Sequence, residues 1–346
     1  MAEDRFGETL EEQARAVVPE PVHRYVRQGA RDGVTTSEAT DAWDRLRFLP
    51  QVLRDVTDVD TSTTLLGTHV QTPVAVAPTT LQRALHPEGE LAMARAVAAT
   101  GSLMVLSSNA GTTFEEIGAT GAPWWLQMYV TAERPLSEPL VRRAVDAGAR
   151  ALVLTADTPV VGTKYDEGPT VWEDLGADKL RVNFPPDHGE RPGEEKARDL
   201  GPQDVEWLAQ VSGLPVVVKG VLQPGDARRC VQAGAAAVWV SNHGGRQLDR
   251  AAATADCLAA VVDAAGPDAE VYVDGGVRHP AHVLAALALG ARGVFLGRPP
   301  LWALAVGGQQ GVTELLGGLT SGLEDYLALA GCSSAMLVPR RVVARP

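Results

Sequence analysis

The chain has 346 residues, 45% hydrophobic and 21% charged, with 43 acidic against 31 basic side chains and a formal charge of −12. That is globular composition, with room for one barrel-sized domain or two ordinary ones. So acidic a surface repels polyanions, which argues against a nucleic-acid partner. Cys230, Cys257 and Cys332 form no CxxC pair, and no His/Cys spacing suggests a metal. The acidic N-terminus has no signal-like apolar core, and no apolar run reaches the ~20 residues of a membrane span. A cytoplasmic protein without metal or membrane association is expected.

Residues 1–72 precede the first strongly apolar run and are expected to form helices and a hairpin that cover the base of the domain. Eight short β-rich runs then follow in order: 73–77 (PVAVA), 103–106 (LMVL), 124–128 (WWLQM), 151–155 (ALVLT), 215–219 (PVVVK), 237–240 (AVWV), 270–273 (EVYV) and 293–296 (GVFL). Helical patterns separate them at 88–99, 139–147, 204–211, 227–233, 254–264 and 281–289, and 311–329 reads as a last one. Near-continuous apolar runs imply strands buried on both faces, hence parallel. Eight β/α alternations predict a single (β/α)8 barrel over 1–346, with an open doubly wound sheet as the alternative. The segment 158–203, with its polar stretch PPDHGERPGEEKARD, is too long for an ordinary connection; it is read as a lid loop after strand 4, in part disordered.

Barrel enzymes carry their chemistry where strands end. The ends here are Pro78-Thr79-Thr80, Ser107-Ser108, Gln127 with Tyr129, Thr155 with Asp157, Lys219, Ser241-Asn242-His243 with Arg246, Asp274-Gly275-Gly276 with Arg278, and Gly297-Arg298. The last two suit a phosphate site, because glycines admit backbone N–H groups close to an anion and the arginines neutralise it. Each motif alone is common in barrel turns; together, at strands 7 and 8, they are specific. VSNHGGRQLD at strand 6 is sharper still. It sets His243, able to take a proton near neutral pH, three residues before Arg246, able to clamp a carboxylate.

YVRQGA, HPEGE, LTADTP, VVKGV, VSNHGGRQLD, DGGVR, LGRP and LAGC together resemble the FMN-dependent 2-hydroxy acid oxidase and dehydrogenase family, from about Pro21 to Gly331. Glycolate oxidase, lactate oxidase and mandelate dehydrogenase are members. The resemblance implies oxidation of a small (S)-2-hydroxy acid to the 2-oxo acid, with oxygen or another acceptor regenerating FMN. It implies His243 as base, Asp157 as the carboxylate behind it, and Tyr129 and Arg246 as further catalytic groups. Tyr25, Tyr129, Lys164, Arg246 and His243 are the implied substrate contacts. Pro78, Thr79, Thr80, Ser107, Gln127, Thr155, Lys219, Ser241, Asp274, Gly276, Arg278, Gly297 and Arg298 are the implied cofactor contacts. It also implies a homotetramer.

Three positions depart from the family pattern. Lys164 stands where a second substrate-binding arginine is usual, Thr80 where oxidases carry alanine and several dehydrogenases glycine, and Asn109 where plant-type members have an aromatic residue. The choice between oxidase and dehydrogenase, and the substrate side chain, stay open. Two rival readings remain: a non-redox flavin barrel such as an isopentenyl diphosphate isomerase, and a catalytically impaired FMN-binding homologue. His86, in HPEGE, is expected to cap a helix.

Overall fold

The computed structural model describes residues 8–165, 170–172, 176 and 179–344. The eight runs form a closed parallel barrel: β3 (Val74–Val76), β4 (Met104–Ser107), β5 (Trp124–Met128), β6 (Leu152–Thr155), β7 (Val216–Val221), β8 (Ala237–Val240), β9 (Glu270–Val273) and β10 (Gly293–Leu296), with β10 paired to β3. Alternate side chains along a strand face opposite ways. Ala75, Val105, Trp125, Val153, Val217, Trp239, Tyr272 and Phe295 turn inward as one buried cluster. Val74, Val76, Met104, Leu106, Leu126 and Val238 turn outward against the helices in another. Burial on both faces is why the runs read as continuously apolar.

Aromatic rings close the barrel's waist. The ring centroids of Trp239 and Phe295 are 4.0 Å apart, and those of Trp125 and Tyr272 5.5 Å. Truncating one of these rings would cost about 3–5 kcal/mol through lost burial and a cavity. This solid layer fills the barrel interior, so the cavity at the strand C-termini rests on it.

The N-terminal extension divides between the two ends of the barrel, which corrects the expectation that all of it covers the base. Only the hairpin of β1 (Thr63–Leu65) and β2 (Thr68–Val70) does so. Leu65 and Val70 join the inward cluster, and Leu66 N–H donates to Glu270 Oε2 at the first residue of β9. Of the helices, α1 (Glu8–Val17) packs with Ala14 in a cluster that includes Leu301 and Trp302. In contrast, α2 (Glu20–Arg27) and α3 (Val34–Asp44) reach the C-terminal rim, where Trp43 Nε1 donates to Gly275 O at 2.8 Å. A Cβ at Gly276 would lie 2.1 Å from Ala39 O, so α3 presses directly on the loop after β9.

The barrel helices are α4 (Gln82–Leu85), α5 (Gly89–Thr100), α6 (Phe114–Gly118), α7 (Glu138–Asp146), α8 (Pro202–Ser212), α9 (Pro224–Gln232), α10 (Thr254–Ala265), α11 (Pro280–Ala288) and α12 (Arg298–Ala330). The last begins thirteen residues earlier than 311 and breaks at Gly308 (φ 56°, ψ −138°). The sequence reading missed its first stretch because 298–307 (RPPLWALAVG) opens on two prolines and ends in glycine. Prolines are tolerated in a first helical turn, where N–H groups have no intrahelical partner. His86 does cap: its Nδ1 accepts from Glu88 N–H at 3.2 Å.

The described part of 158–203 is tied to the barrel. Asn183 accepts from Phe114 N–H at 3.0 Å and donates to Thr112 O at 2.9 Å, and Val171 is buried among the N-terminal helices. Residues 166–169, 173–175 and 177–178, on which the rest of the expected disorder falls, lie outside the described residues.

Candidate active site

The turn after β8 is shaped by its own polar side chains. Asn242 Oδ1 accepts from Gly245 N–H at 3.2 Å, and its Nδ2 donates to Ala252 O at 3.1 Å. This holds His243 at φ 59°, a left-handed conformation that costs a non-glycine residue about 1–3 kcal/mol. Its imidazole is thereby aimed into the cavity at the strand C-termini. His243 Nδ1 lies 2.9 Å from Asp157 Oδ1, from the end of β6. Burial works to raise the Asp157 pKa, but His243 and the Lys219 cation outweigh it and hold the carboxyl below its usual range. An ionised Asp157 accepts from Nδ1–H, which leaves Nε2 as the basic nitrogen. Glycine at 220 is required here: at φ 109°, a Cβ would lie 2.5 Å from Asp157 Cβ.

Tyr129, just past β5, shares this cavity. Burial pushes its phenol up to about 12, Asp157 adding to the push, so it stays a hydrogen-bond donor at neutral pH. Arg246 lies opposite, its guanidinium 4.8 Å from the centroid of the Tyr25 ring. Nη1 donates to the carbonyls of Tyr25 (2.7 Å), Val26 (3.4 Å) and Gln28 (2.9 Å) at the end of α2. Nε and Nη2 have no protein acceptor among the described residues. The clamp is therefore half anchored and half available to an anion. On its far side Tyr25 meets Trp172 edge-on, with ring centroids 5.5 Å apart.

Lys164 lies elsewhere, which corrects its expected place among the substrate contacts. Its Nζ donates to Gly162 O at 2.8 Å and Arg246 O at 2.5 Å, and it does not line the cavity. Burial and the neighbouring Arg246 and Arg298 lower it to about 8. An ammonium capping two carbonyls braces the Arg246 backbone rather than offering itself to a ligand. Ser241 is also behind the wall. Its Oγ accepts from Lys219 Nζ (2.7 Å) and from His243 N–H (3.1 Å) and donates to Asp274 Oδ1 (2.7 Å).

The remaining expected residues line one continuous cavity: Pro78, Thr79, Thr80, Ser107, Gln127, Thr155, Lys219, Asp274, Gly276, Arg278, Gly297 and Arg298, with Phe295 at the floor. Lys219 is buried there, 3.2 Å from Asp274 Oδ2 and 5.5 Å above the Trp239 ring. Thr80 Oγ1 donates to Asn109 O at 3.1 Å, so these two departures from the family pattern share one wall.

Two observations test whether a flavin mononucleotide suits this space. Gln127 Nε2 is buried at the cavity wall without an acceptor, which a polar ring edge would supply. At the far end Arg278 and Arg298 converge, and burial together with the charges of Arg246 and Arg278 brings Arg298 down to about 9. Crowded cations at the N-terminus of α12 suit a phosphate dianion. Gly297 leaves that end open, since a Cβ there would meet nothing within 4 Å. The residues fit FMN.

Residues 14–345 match the FMN-dependent dehydrogenase family model. The chain belongs to that family. Glycolate oxidase 3 of Arabidopsis thaliana is 40% identical over 339 residues, covering 94% of this chain and 92% of its own. Human 2-hydroxyacid oxidase 1 is 37% identical over 351 residues, covering 96% and 94%. Among solved structures, a mandelate oxidase with benzoyl-formic acid superposes with a TM-score of 0.88 at 39% identity, covering 97% of this chain and 96% of that one. The Pediococcus acidilactici protein described as a lactate oxidase gives 0.91 at 32% identity, covering 98% and 94%. Family membership accounts for the cavity as an FMN site.

Sequence reasoning missed three contributors: the α2 carbonyls that hold Arg246 and Arg298, Trp172 against Tyr25, and Lys196 over Tyr129. No local signal could have found them, because each acts across a long separation in the chain.

Proposed function

We infer that this chain is an FMN-dependent oxidase of a small 2-hydroxy acid, which it converts to the 2-oxo acid. The observation that carries this is the His243–Asp157 pair sharing one cavity with Tyr129 and a half-free Arg246, beside a trough suited to FMN. Arg246 and Tyr25 take the substrate carboxylate and so bring its hydroxyl between His243 and Tyr129. Tyr129 donates to the hydroxyl oxygen while His243 Nε2 removes the proton. Asp157 stabilises the imidazolium that results. Lys219 offers a fixed cation at the cavity wall, and Gln127, Ser107 and Thr155 offer polar partners to the ring. Bound FMN would supply the acceptor for the Cα hydrogen together with the two electrons, and its reduced form would be reoxidised by oxygen or another acceptor.

The acid is of the (S) configuration and the acceptor is oxygen, with hydrogen peroxide as product; both are proposals resting on the relatives. We also propose a homotetramer, from the family resemblance, and a cytoplasmic location, from the composition; among the described residues no helix is long and apolar enough to cross a membrane. The test is anaerobic mixing of the FMN-loaded protein with glycolate, (S)-lactate and (S)-mandelate, followed by air. Loss of the flavin absorption at about 450 nm with one acid, and its return with peroxide on aeration, is expected. A flavin that none of them bleaches overturns the reading. The His243–Arg246 pair speaks against the non-redox alternative, which has no use for a base beside a carboxylate clamp.

A further inference from the structure

Lys196 stands close to the catalytic groups, although the sequence around it carries no motif. It lies near the end of the 158–203 segment, which returns to the barrel as a short antiparallel partner of the chain just past β5. Ala132 N–H donates to Glu195 O at 2.7 Å, Ala197 N–H to Val130 O at 2.9 Å, and Glu133 N–H to Gly193 O at 3.0 Å. These bonds fix the backbone on either side of Lys196. Its half-buried side chain carries Nζ 5.0 Å from the centroid of the Tyr129 ring. Among the described residues Nζ has no hydrogen-bond or ion-pair partner. Asp157 Oδ2, on the adjoining strand end, is likewise buried and without a partner.

We propose that Lys196 is a positioning residue for the oxidation, acting through Tyr129 and Asp157 and not by touching the substrate. The proposal rests on the function inferred above. A cation over the face of a phenol is attracted by the ring and draws electron density from it, which makes the O–H a stronger donor. Tyr129 needs that help, because burial, Asp157 and Tyr25 all oppose loss of proton density from its oxygen, while Thr158 and Arg246 favour it. The groups facing Lys196 itself are Asp157, Tyr129 and Arg198. Burial and Arg198 ease loss of its proton and Asp157 resists it, the first outweighing the last. The positive charge is therefore given up at lower pH than by an exposed lysine, and Tyr129 then loses its assistance. His243 and Lys219 hold the Asp157 carboxyl low, and Asp157 also acts on Lys196, so the charge on Lys196 bears on how strongly Asp157 holds the imidazolium.

The test is stopped-flow anaerobic reduction of the FMN-loaded protein by glycolate, (S)-lactate and (S)-mandelate between about pH 6 and pH 10. Wild type, Lys196→Met and Lys196→Arg are compared; methionine keeps the length of the stem without the charge. Wild type is expected to lose rate on the alkaline side. Lys196→Met should lower the limiting reduction rate about tenfold at neutral pH, with the acid's apparent Kd changed less than about twofold, and should lose the alkaline fall. Lys196→Arg should retain the rate and move the fall to higher pH. Melting temperatures of the loaded proteins separate these effects from damage to the loop, since a misfolded loop would not be rescued by arginine. If Lys196→Met keeps the wild-type rate and pH profile, or Lys196→Arg is as slow as methionine, the proposal is overturned while the oxidase reading stands. If no acid bleaches the wild type, both are overturned.

Discussion

Asp157 Oδ1 and His243 Nδ1 are 2.9 Å apart, so the carboxylate engages one ring nitrogen and leaves the other to the cavity. The contact fixes the ring's orientation and tautomer before any substrate arrives, and it assigns proton transfer to Nε2. His243→Gln should slow flavin reduction by at least about 10²–10⁴-fold, the usual worth of a positioned base, while FMN stays bound. Asp157→Asn should keep the geometry but slow reduction by about 10²-fold or more, because the amide cannot stabilise an imidazolium. Rapid-mixing kinetics check both; a fast His243→Gln protein would remove the histidine from the mechanism.

Arg246 and Lys164 carry like charge but have different surroundings, and substitutions should separate them. Arg246→Lys loses the fork, so the KM for the acid should rise about 10–100-fold. Lys164→Met should leave KM within about twofold and instead lower stability by about 1–3 kcal/mol, since Gly162 O and Arg246 O lose their donor. Steady-state kinetics with melting curves decide the matter. A selective rise in KM for Lys164→Met would return this lysine to the substrate site.

Arg298, half-buried in the arginine cluster, donates from Nε to Val26 O at 2.9 Å and from Nη1 to Gly244 O at 2.9 Å. Arg298→Gln should weaken FMN binding about 10–100-fold by removing one charge-assisted partner of the phosphate. Fluorescence titration of the apoprotein with FMN measures this; riboflavin, which has no phosphate, should bind wild type and variant alike. Equal loss with both ligands would mean that the residue is structural.

His282 carries the pH dependence of the same end of the cavity. It is 4% exposed, accepts from Arg278 N–H through Nδ1, and pairs through Nε2 with Asp44 of α3. Burial lowers its pKa from 6.5 to about 4, Asp44 opposing the shift. Between those values the unfolded chain binds a proton that the folded one does not. Stability therefore falls as pH drops from 6.5 toward 4, by about 3 kcal/mol at most. His282→Gln should flatten that part of the melting-temperature profile. An unchanged slope would assign the acid sensitivity to other groups.

Much of this protein was legible in one dimension. A strand buried on both faces reports itself through a short continuous apolar run and a β/α unit through its turn, so all eight barrel runs and the order of their functional ends could be read from local pattern. VSNHGGRQLD placed His243 and Arg246 together because three residues of one turn cannot be far apart.

The sequence determined the barrel, the rim on which chemistry gathers and the residue types available there. Tertiary structure alone decided which groups face the cavity. Lys164 and Ser241 turn away from it because carbonyls and buried partners claim their polar atoms, and Lys196 comes to lie over Tyr129 because backbone pairing past β5 holds it there. It also decided that α2 and α3 wall the active end while the hairpin plugs the other. The reason is physical: backbone propensity acts between near neighbours, whereas hydrogen bonds and buried charges choose partners by distance in space, which amino-acid order does not encode locally.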